Sequence, residues 1–453
     1  MKRERRSLAG WANTAHTTSQ VEVPVDVDEL AASLELDAPR GLIARGLGRS
    51  YGDPAQNAGG LVVDTTHVAG IRDLDLAHGV VTADAGTSLD ALMRWLVPLG
   101  WFVPVTPGTR QVTIGGAIAS DIHGKNHHTS GSWCDAVEAI TIVTPADGRL
   151  RITPESHADL FWATAGGMGL TGIILDATFR LSRIETSLLT VDTDRTPDLD
   201  TTLDLMISGD DDYHYSVAWI DLMAKGGAMG RSILGRGRFA ALDQLSAKQQ
   251  RDPLAFRSST RATAPSLVPP HLINPVTVRA FNEVWYRKAP VRRRDELQSI
   301  SQFFHPLDAV DSWNRLYGAD GLLQWQFVIP IDATEELRSI IGELTRSGCP
   351  SFLAVLKRMG PANPGPLSFP IEGWTLAFDV PAVGGSHLGP LLDRLDEQVA
   401  AAGGRIYLAK DSRLRPELLP AMYPRLDEWR AVRHRADPQQ RLRSDLARRL
   451  HLT

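Results

Sequence analysis

Two glycine-rich stretches in the first third of the chain have the composition of loops that bind phosphate groups. The first, Arg45-Gly-Leu-Gly-Arg-Ser-Tyr-Gly-Asp53, follows a β-type run of residues. Its glycines let the backbone approach a bound group closely and turn N–H groups toward phosphate oxygens. The second runs from Pro107 to Gly124, and its small residues at 115–120 let a flat ligand or a pyrophosphate lie against the main chain. A structural turn alone rarely needs so long a run, so we predict that the stretches bind a nucleotide.

The nucleotide site is not predicted to be of the Rossmann type. In the first stretch Tyr51 stands where the dinucleotide fingerprint needs a glycine. A matching Gly-x-Gly-x-x-Gly does occur over 167–172, but a helical segment precedes it and a strand follows it. Dinucleotide-binding units have the strand before the loop and the helix after it. We therefore interpret 167–172 as a tight packing turn.

Five polar side chains have types and positions that suit proton transfer or substrate binding. Lys410, in Ala-Lys-Asp-Ser, could act as a base if burial lowers its pKa, although most lysines are surface charges. His123 ends a glycine-rich stretch and could bond a sugar or phosphate oxygen, or it is satisfied within its own loop. Tyr51 could stack on a flat ring or only close a turn. Gln324 and Gln326 lie two apart on a predicted strand, so their amides share one face.

The order of elements predicts an α+β protein with two main domains. Over 1–186, short β-type runs alternate with glycine-rich turns, which indicates two small sheets. Over 187–405, strand-like runs alternate with amphipathic helices, which is typical of an antiparallel sheet flanked by helices. Residues 406–453 form a C-terminal segment that is helical from Pro416 and rich in arginine. The clearest helices are predicted at 88–99, with Ser88 as N-cap and Gly100 as the stop, at 332–347 and at 387–402.

Two segments each leave two interpretations open. Residues 247–292 are rich in proline and poor in periodicity, so we expect a mobile loop or lid. The apolar run 266–273 inside it either packs on its own domain or faces lipid. The arginines between 415 and 449 alternate with acids and leucines, which favours a solvated, ion-paired helical face over a basic patch on anionic lipid.

Composition and charge exclude several classes of protein. A chain of 453 residues is too long for one ordinary core, and a formal net charge of -5 argues against a nucleic-acid partner. Cys134 and Cys349 make neither a disulfide framework nor a metal site, and we predict no metal. The N-terminus is basic without the apolar run of a secretory signal, and no stretch is long enough to cross a bilayer. We expect a soluble or at most peripheral protein.

Motifs along nearly the whole chain resemble one family of flavoproteins. The order Pro-Gly-Thr, Thr-Ile-Gly-Gly, Asp-Ile-His-Gly within 107–124 is similar to the PCMH-type FAD-binding domain of the vanillyl-alcohol oxidase superfamily, with 1–186 as that domain and 406–453 returning to it. From about Gly10 to the C-terminus, the chain resembles the decaprenylphosphoryl-β-D-ribose 2′-oxidase family in particular. The motifs that carry this likeness are Gly46–Asp53, Asp121–His128, Phe303–Asp308, Pro366–Pro370, Tyr407–Arg413 and Ala421–Arg425.

The resemblance implies where cofactor and substrate bind. FAD is expected to be non-covalent, because Arg49-Ser50-Tyr51 stands where many superfamily members have an attached histidine. Lys410 matches the family's catalytic lysine, and the resemblance implies that His123 and Tyr51 are catalytic as well. The residues implied to bind FAD are Arg45, Gly46, Leu47, Gly48, Arg49, Ser50, Tyr51, Gly52, Asp53, Gly108, Thr113, Ile114, Gly115, Gly116, Ser120, Asp121, Ile122, His123, Ile174 and Tyr407. Those implied to bind substrate are Lys125 and Lys357 for the phosphate, with Trp219, Gln324, Gln326 and Ala377 on the pocket wall.

The family's activity implies the function. Members of the family oxidise the 2′-hydroxyl of decaprenylphosphoryl-β-D-ribose to a ketone. This is the first half of an epimerisation that serves arabinogalactan synthesis in the actinobacterial cell wall. A separate NADH-dependent short-chain reductase would complete the epimerisation, and the family implies a periplasmic or envelope location. The nearest alternative is an oxidase of a free alditol or sugar lactone that uses oxygen. An NAD-dependent epimerase and a non-catalytic scaffold are further alternatives, and the missing dinucleotide fingerprint disfavours the epimerase.

Two positions depart from the family pattern. Ala377 stands where the family often has a cysteine beside the flavin, and Phe304 stands where we expect a tyrosine. An alanine cannot form an adduct, so inhibitors that trap this thiol should bind poorly. Catalysis should survive, because the thiol has no assigned chemical step.

Overall fold

The protein is an α+β structure, as predicted. The computed structural model describes residues 2–258, 260, 262–265, 272–382 and 388–453. Its first region carries strands β1 (Lys2–Leu8), β2 (Thr17–Val23), β3 (Leu42–Arg45), β4 (Leu61–Asp64), β5 (Ile71–Asp75), β6 (Val80–Asp84), β7 (Trp101–Phe102), β8 (Val137–Thr144), β9 (Gly148–Ile152), β10 (Ile173–Arg180) and β11 (Ser182–Arg183). The helices among them are α1 (Val27–Ala32), α2 (Leu89–Leu96), α3 (Ile114–Ala119), α4 (His127–Ser130) and α5 (Ala158–Thr164).

Besides the short pair of β7 and β11, two small sheets form the first region, as its pattern of β-type runs and turns indicates. One has four strands in the order β1-β2-β4-β3, and the other has five in the order β5-β6-β10-β8-β9. In the first sheet β3 is an edge strand and pairs parallel to β4. The first glycine-rich loop follows β3 directly in the chain. The turn over 167–172 lies between α5 and β10, as predicted from its context. A Cβ on Gly167 would lie 2.2 Å from the carbonyl oxygen of Ala163, which confirms tight packing there.

Helix α2 begins and ends where its sequence predicts. The hydroxyl of Ser88 accepts a hydrogen bond from the backbone N–H of Ala91, as an N-cap residue does. A 3-10 turn over 97–99 continues the helix, and Gly100 ends it with a φ of 82°. Leu89, Leu92 and Leu96 are fully buried, so one face of this helix packs on the core of the first region.

A large antiparallel sheet forms the second region. Its eight strands follow the order β16-β12-β14-β13-β19-β20-β18-β21. Helices α9 and α10 fall within the predicted ranges 332–347 and 387–402. The elements are β12 (Leu188–Thr196), α6 (Leu199–Gly209), β13 (Tyr215–Ile220), β14 (Ser232–Phe239), β15 (Ala262–Thr263), α7 (Pro275–Lys288), β16 (Arg292–Ser299), α8 (Ile300–Phe304), β17 (Val310–Asp311), β18 (Leu322–Pro330), α9 (Thr334–Ser347), β19 (Ala354–Met359), β20 (Gly373–Pro381), α10 (Leu388–Ala401) and β21 (Arg405–Ile406).

The proline-rich segment over 247–292 is not a loop throughout. Helix α7 occupies 275–288, so the prediction of an irregular loop is wrong for these residues. Asn274 caps the helix by accepting hydrogen bonds from the N–H groups of Val276 and Thr277, and Pro275 takes the first helical position, where its missing N–H costs nothing. Most of the apolar run 266–273 lies outside the described residues.

The C-terminal segment packs on the first region. It forms helices α11 (Leu419–Met422), α12 (Leu426–Ala436) and α13 (Asp445–Arg449). The indole N–H of Trp429 donates to the carbonyl of Ala163 on α5, at 2.9 Å. Most arginines of this segment are ion-paired, among them Arg415, Arg425, Arg430, Arg433, Arg435, Arg448 and Arg449. The ion-paired interpretation is therefore favoured over an open basic patch.

One hydrophobic cluster runs through both regions and fixes how they meet. Phe102 of the first region stacks on Phe304 of α8, with ring centres 5.4 Å apart. Cys134 and Cys349 are both buried and free. Among the described helices, none is long and apolar enough to cross a membrane.

Candidate active site

A cavity of about 860 Å³ lies between the glycine-rich loops and one face of the eight-stranded sheet. All residues predicted to be catalytic or to bind substrate line it. The structure therefore brings together side chains that lie far apart in sequence. The predicted FAD-binding residues that also line the cavity are Arg45, Gly46, Leu47, Gly48, Arg49, Ser50, Tyr51, Gly108, Thr113, Gly115, Gly116, Ser120, Ile122, His123, Ile174 and Tyr407.

The first glycine-rich loop is held in shape by the arginine that begins it. The guanidinium of Arg45 donates to the carbonyls of Ala55 and Ala9, at 2.9 and 2.7 Å. Gly48 has a φ of +64°, and a Cβ there would lie 2.3 Å from the Arg45 guanidinium. The loop also touches the second loop, since a Cβ on Gly46 would lie 2.2 Å from the hydroxyl of Thr113. The two loops thus form one surface.

The second loop exposes its main chain to the cavity. Thr113 caps α3 by accepting a hydrogen bond from the N–H of Gly116, at 3.2 Å. The N–H of Gly115 donates to the carbonyl of Ala85 at 2.8 Å, which ties the loop to the end of β6. A Cβ added to Gly108 would meet no atom within 4 Å, because this part of the chain borders open space. A flat ligand can therefore lie directly on this backbone.

For four of the residues predicted to bind FAD, namely Gly52, Asp53, Ile114 and Asp121, contact with the cofactor stays a prediction. None of these four lines the cavity, and each has a structural role. Asp53 pairs with Arg449 of α13, at 2.8 Å. The Asp121 carboxylate accepts hydrogen bonds from a serine hydroxyl, a backbone N–H and an asparagine amide. Gly52 packs on the main chain of the Lys410 loop, and Ile114 is fully buried.

His123 is a buried, neutral histidine in the cavity wall. Burial, reinforced by Lys357 and Lys410, holds its pKa well below the ordinary value. The amide nitrogen of Gln326 lies 2.9 Å from His123 Nε2 and also donates to the hydroxyl of Thr375 at 3.0 Å. In this network Nε2 accepts, so the ring proton lies on Nδ1, which has no partner among the described residues. His123 can therefore donate one hydrogen bond into the cavity.

Tyr407 supports His123 from behind. Its ring centre lies 5.1 Å from that of His123, and its hydroxyl donates to the carbonyl of Ser120 at 2.9 Å. Phe369 contacts the imidazole from another side, with ring centres 5.3 Å apart. The histidine is thus fixed by packing as well as by Gln326.

Lys410 and Tyr51 face each other in the cavity. The Lys410 ammonium lies 5.6 Å from the ring centre of Tyr51, and the N–H of Tyr51 donates to the carbonyl of Ala409 at 2.9 Å. Burial lowers the pKa of Lys410 to about 8, against the opposing effect of Asp379. Burial raises the pKa of the Tyr51 hydroxyl well above its ordinary value, so this group keeps its proton. Of the two, Lys410 is the one that can accept a proton near neutral pH.

Two further lysines place positive charge on the same cavity. Burial lowers the pKa of Lys125 to about 7 and, with help from Lys410 and Lys125, that of Lys357 to about 7. The Lys125 ammonium donates to the carbonyl of Phe303 and lies 4.4 Å from that residue's ring centre. Lys357 has no ion-pair partner within the described ranges. An anion entering the cavity would satisfy both lysines and restore their ordinary pKa.

An apolar floor continues from Gln326 across the sheet. The strand register aligns Gln326 with Ala377, Ala377 with Val355, Val355 with Trp219, and Trp219 with Ile233. Residues directly opposite each other in antiparallel strands project from the same face. The indole N–H of Trp219 is satisfied by the carbonyl of Phe352 at 3.0 Å, so its ring offers only an apolar surface.

Sequence reasoning missed several residues that line or adjoin the cavity. Trp11 was missed; its ring centre lies 3.8 Å from the guanidinium of Arg49, which was predicted. Phe281 and Trp285 of α7 stack almost parallel, with ring centres 6.1 Å apart, and each is 46% exposed. Asp379 lies directly across the sheet from Gln324. The capping signal at 274–275 could have revealed α7, whereas the pairing of Asp379 depends on strand register.

Buried polar atoms that have no partner among the described residues show that the cavity suits a polar ligand. They include Nδ1 of His123, the side-chain oxygens of Gln324 and Gln326, and Nε of Arg49. Leaving such groups unpaired is costly, so a bound molecule is expected to satisfy them. Together with the open backbone at Gly108, these atoms fit a flavin nucleotide. No group of metal-ligating side chains occurs in the described part of the chain.

Comparison with known proteins agrees with this geometry. Residues 18–154 match the FAD binding domain family, and residues 388–450 match D-arabinono-1,4-lactone oxidase. The chain is 47% identical over 99% of its length to the decaprenylphosphoryl-β-D-ribose oxidase of Mycolicibacterium smegmatis, of which it covers 98%. The chain belongs to the decaprenylphosphoryl-β-D-ribose oxidase family. It is also 40% identical over 81% of its length to an uncharacterised protein of Streptomyces coelicolor, all of which it covers (100%).

This member of the decaprenylphosphoryl-β-D-ribose oxidase family is an FAD-dependent oxidoreductase. Its FAD binding domain match includes both glycine-rich loops, which confirms FAD as the cofactor that the family resemblance implies. A further relative, an uncharacterised oxidoreductase of Rhodococcoides fascians, is 29% identical over 38% of the chain and 40% of its own length.

Proposed function

We propose that this chain oxidises the 2′-hydroxyl of a polyprenylphosphoryl-β-D-ribose to a ketone, with non-covalent FAD as the electron acceptor. One observation carries the proposal. A single described cavity joins the glycine-rich loops, a lysine of lowered pKa, an unpaired lysine and an apolar floor. These features match, in turn, a flavin nucleotide, a hydroxyl proton, a phosphate and a hydrocarbon chain.

The two glycine-rich loops would hold FAD, with its pyrophosphate against the main chain of 45–51 and 113–116. Ile174 and Tyr407 line the same cavity and would contact the cofactor from other elements. The first loop offers Arg49-Ser50-Tyr51 and no histidine for a covalent link. Denaturation should therefore release the flavin into solution.

Lys410 would take the hydroxyl proton. Bound FAD supplies a hydride acceptor, so the chain has to orient the sugar and remove a proton from oxygen. Lys410 is partly neutral near pH 8 because burial lowers its pKa to about 8. His123 and Gln326 offer a donor and an acceptor that could orient the ribose hydroxyls. Tyr51 would close this end of the cavity with its hydroxyl protonated.

Lys357 and Lys125 would bind the phosphate that links sugar to lipid. Both are buried cations beside the sugar site, and charge-assisted hydrogen bonds to phosphate are among the stronger ones in proteins. Lys125 is already held by the carbonyl of Phe303, so it would act mainly as a fixed positive charge. Lys357 makes no hydrogen bond or ion pair within the part of the chain that the structure describes, and it would make the direct contact.

The apolar floor and helix α7 would receive the isoprenoid chain. Trp219, Val355 and Ile233 provide a surface without free polar groups, and Phe281 and Trp285 line the same cavity from α7. On that helix Val276 is 75% exposed. Such exposed apolar side chains favour a peripheral contact of α7 with the membrane that holds the lipid substrate. The variant Val276→Ser should bind anionic lipid vesicles more weakly in a sedimentation assay.

A second enzyme would be needed to complete an epimerisation, because the proposed reaction covers only the oxidation of the 2′-hydroxyl to the ketone. An NADH-dependent short-chain reductase that acts on the keto product is the partner we propose, in the cell envelope where the lipid substrate lies. In a coupled assay, NADH oxidation should require substrate, this enzyme and the reductase together. Cell fractionation would test the location.

The match of residues 388–450 to D-arabinono-1,4-lactone oxidase favours one alternative, the oxidation of a free sugar lactone or alditol. The two functions differ in whether the phosphate and the lipid are required. We expect anaerobic flavin reduction by a short-chain prenylphosphoryl ribose and none by lactones or alditols at the same concentration. Reduction by the free sugars alone would support the alternative and contradict our proposal.

A further inference from the structure

Asp379 is a buried carboxylate that the oxidation chemistry described above does not use. It lies near the end of β20 and is completely buried. The register places it opposite Gln324 of β18, on the face that borders the cavity, and the Gln324 amide donates to one of its two carboxylate oxygens. The other oxygen is buried with no partner among the described residues. A carboxylate in this position is costly unless a cation or a proton satisfies it.

The groups around Asp379 belong to three separate elements. Asp379 interacts electrostatically with Lys410 in the loop after β21, with Tyr51 in the first glycine-rich loop and with Tyr317 in the turn Trp313–Tyr317. The Tyr317 hydroxyl is itself buried and has no partner in the described part of the chain. Both tyrosines keep their protons, because burial and the nearby carboxylate raise the pKa of each. Lys410 is therefore the cation whose charge acts on Asp379.

Asp379 can offset the cost of placing a positive charge on the buried Lys410. When a buried lysine accepts a proton, an ammonium forms away from water, and here Lys357 adds a like charge to the same space. Asp379 is the group whose charge opposes this cost at Lys410. Burial raises the pKa of Asp379 and lowers that of Lys410, and the charge of each group opposes part of the other's shift.

We infer that Asp379 is the positioning residue for Lys410: held by Gln324, its carboxylate stabilises the ammonium that forms when Lys410 takes the substrate's hydroxyl proton. This inference rests on the proposed function. In the step, the C–H bond breaks and its electron pair passes with the hydrogen to FAD. The O–H bond breaks, its proton goes to Lys410 and the C=O bond forms. Asp379 exchanges no proton and acts through charge.

Neutral variants at this position test the inference in the FAD-bound enzyme. Asp379→Asn keeps the shape and the acceptor for Gln324 but removes the charge. Loss of a negative neighbour lowers the pKa of a lysine. We therefore expect the acidic limb of flavin reduction, measured anaerobically with saturating prenylphosphoryl ribose, to move down by about one pH unit or more. Asp379→Ser should move it in the same direction, and Asp379→Glu should leave it close to that of the wild type.

A matched control is available in Asp396 on α10. It is also a buried aspartate, held by the Trp325 indole at 2.8 Å and by Arg413, and it does not line the cavity. Asp396→Asn should leave the acidic limb in place. If the neutral Asp379 variants lose rate equally at every pH with the limb unmoved, Asp379 is merely structural and the inference is overturned. Failure of wild-type flavin to be reduced would contradict the proposed function instead.

Discussion

The lowered pKa of Lys410 predicts how the rate of substrate oxidation depends on pH. With a pKa of about 8, roughly a tenth of the lysine is neutral at about pH 7 and roughly nine tenths at about pH 9. Only the neutral amine can accept a proton, so the rate should rise about tenfold across this range and level off above it. A lysine at its ordinary pKa of 10.5 would leave the rate still climbing steeply at about pH 10.

The assay is single-turnover bleaching of the FAD absorbance in an anaerobic stopped-flow instrument. Saturating substrate separates this step from phosphate binding, which should weaken as Lys125 and Lys357 lose their protons. The phosphate of the substrate is a diester and does not titrate in this range. The matched variant Lys410→Met should bleach far more slowly, with no rise between about pH 7 and about pH 9. An unchanged limb in Lys410→Met would refute the assignment of the base.

Three further changes test other parts of the site. Lys357→Met should raise KM for a prenylphosphoryl ribose about 10- to 100-fold with little change in kcat, because one charge-assisted hydrogen bond of about 1.5–3 kcal/mol is lost, and Lys357→Arg should retain most of the affinity. Arg449→Gln leaves Asp53 and Asp411 unpaired between the first loop and the Lys410 loop, so flavin fluorescence should show roughly tenfold weaker FAD binding and melting should begin earlier. Ala377→Cys should make the enzyme sensitive to time-dependent inactivation by thiol-trapping inhibitors that leave the wild type active.

Local signals predicted much of the fold and the cofactor site. Helix α2 has its cap at Ser88 and its stop at Gly100, each read from one residue type and its neighbours. The turn over 167–172 was interpreted from the order of helix and strand around it. The glycine-rich loops were visible because a backbone that carries phosphate or a flat ring needs small residues over several consecutive positions. Such features depend on short stretches of chain.

The remaining features depend on contacts between distant residues. Asp379 was missed because its partner Gln324 is fixed by the register of β18 against β20, which sequence does not reveal. The structural role of Asp53 was missed because Arg449 reaches it from the far end of the chain. Helix α7 was missed for a different reason: the prolines around it outweighed a capping signal that was present at Asn274.

The most direct test of the proposed function is the anaerobic visible spectrum of the FAD-bound protein before and after addition of a short-chain prenylphosphoryl ribose. We predict an oxidised flavin spectrum that bleaches on addition, with the flavin released to solution when the protein is denatured. Flavin that stays oxidised with this substrate, yet bleaches with a free sugar lactone, would contradict the proposed substrate.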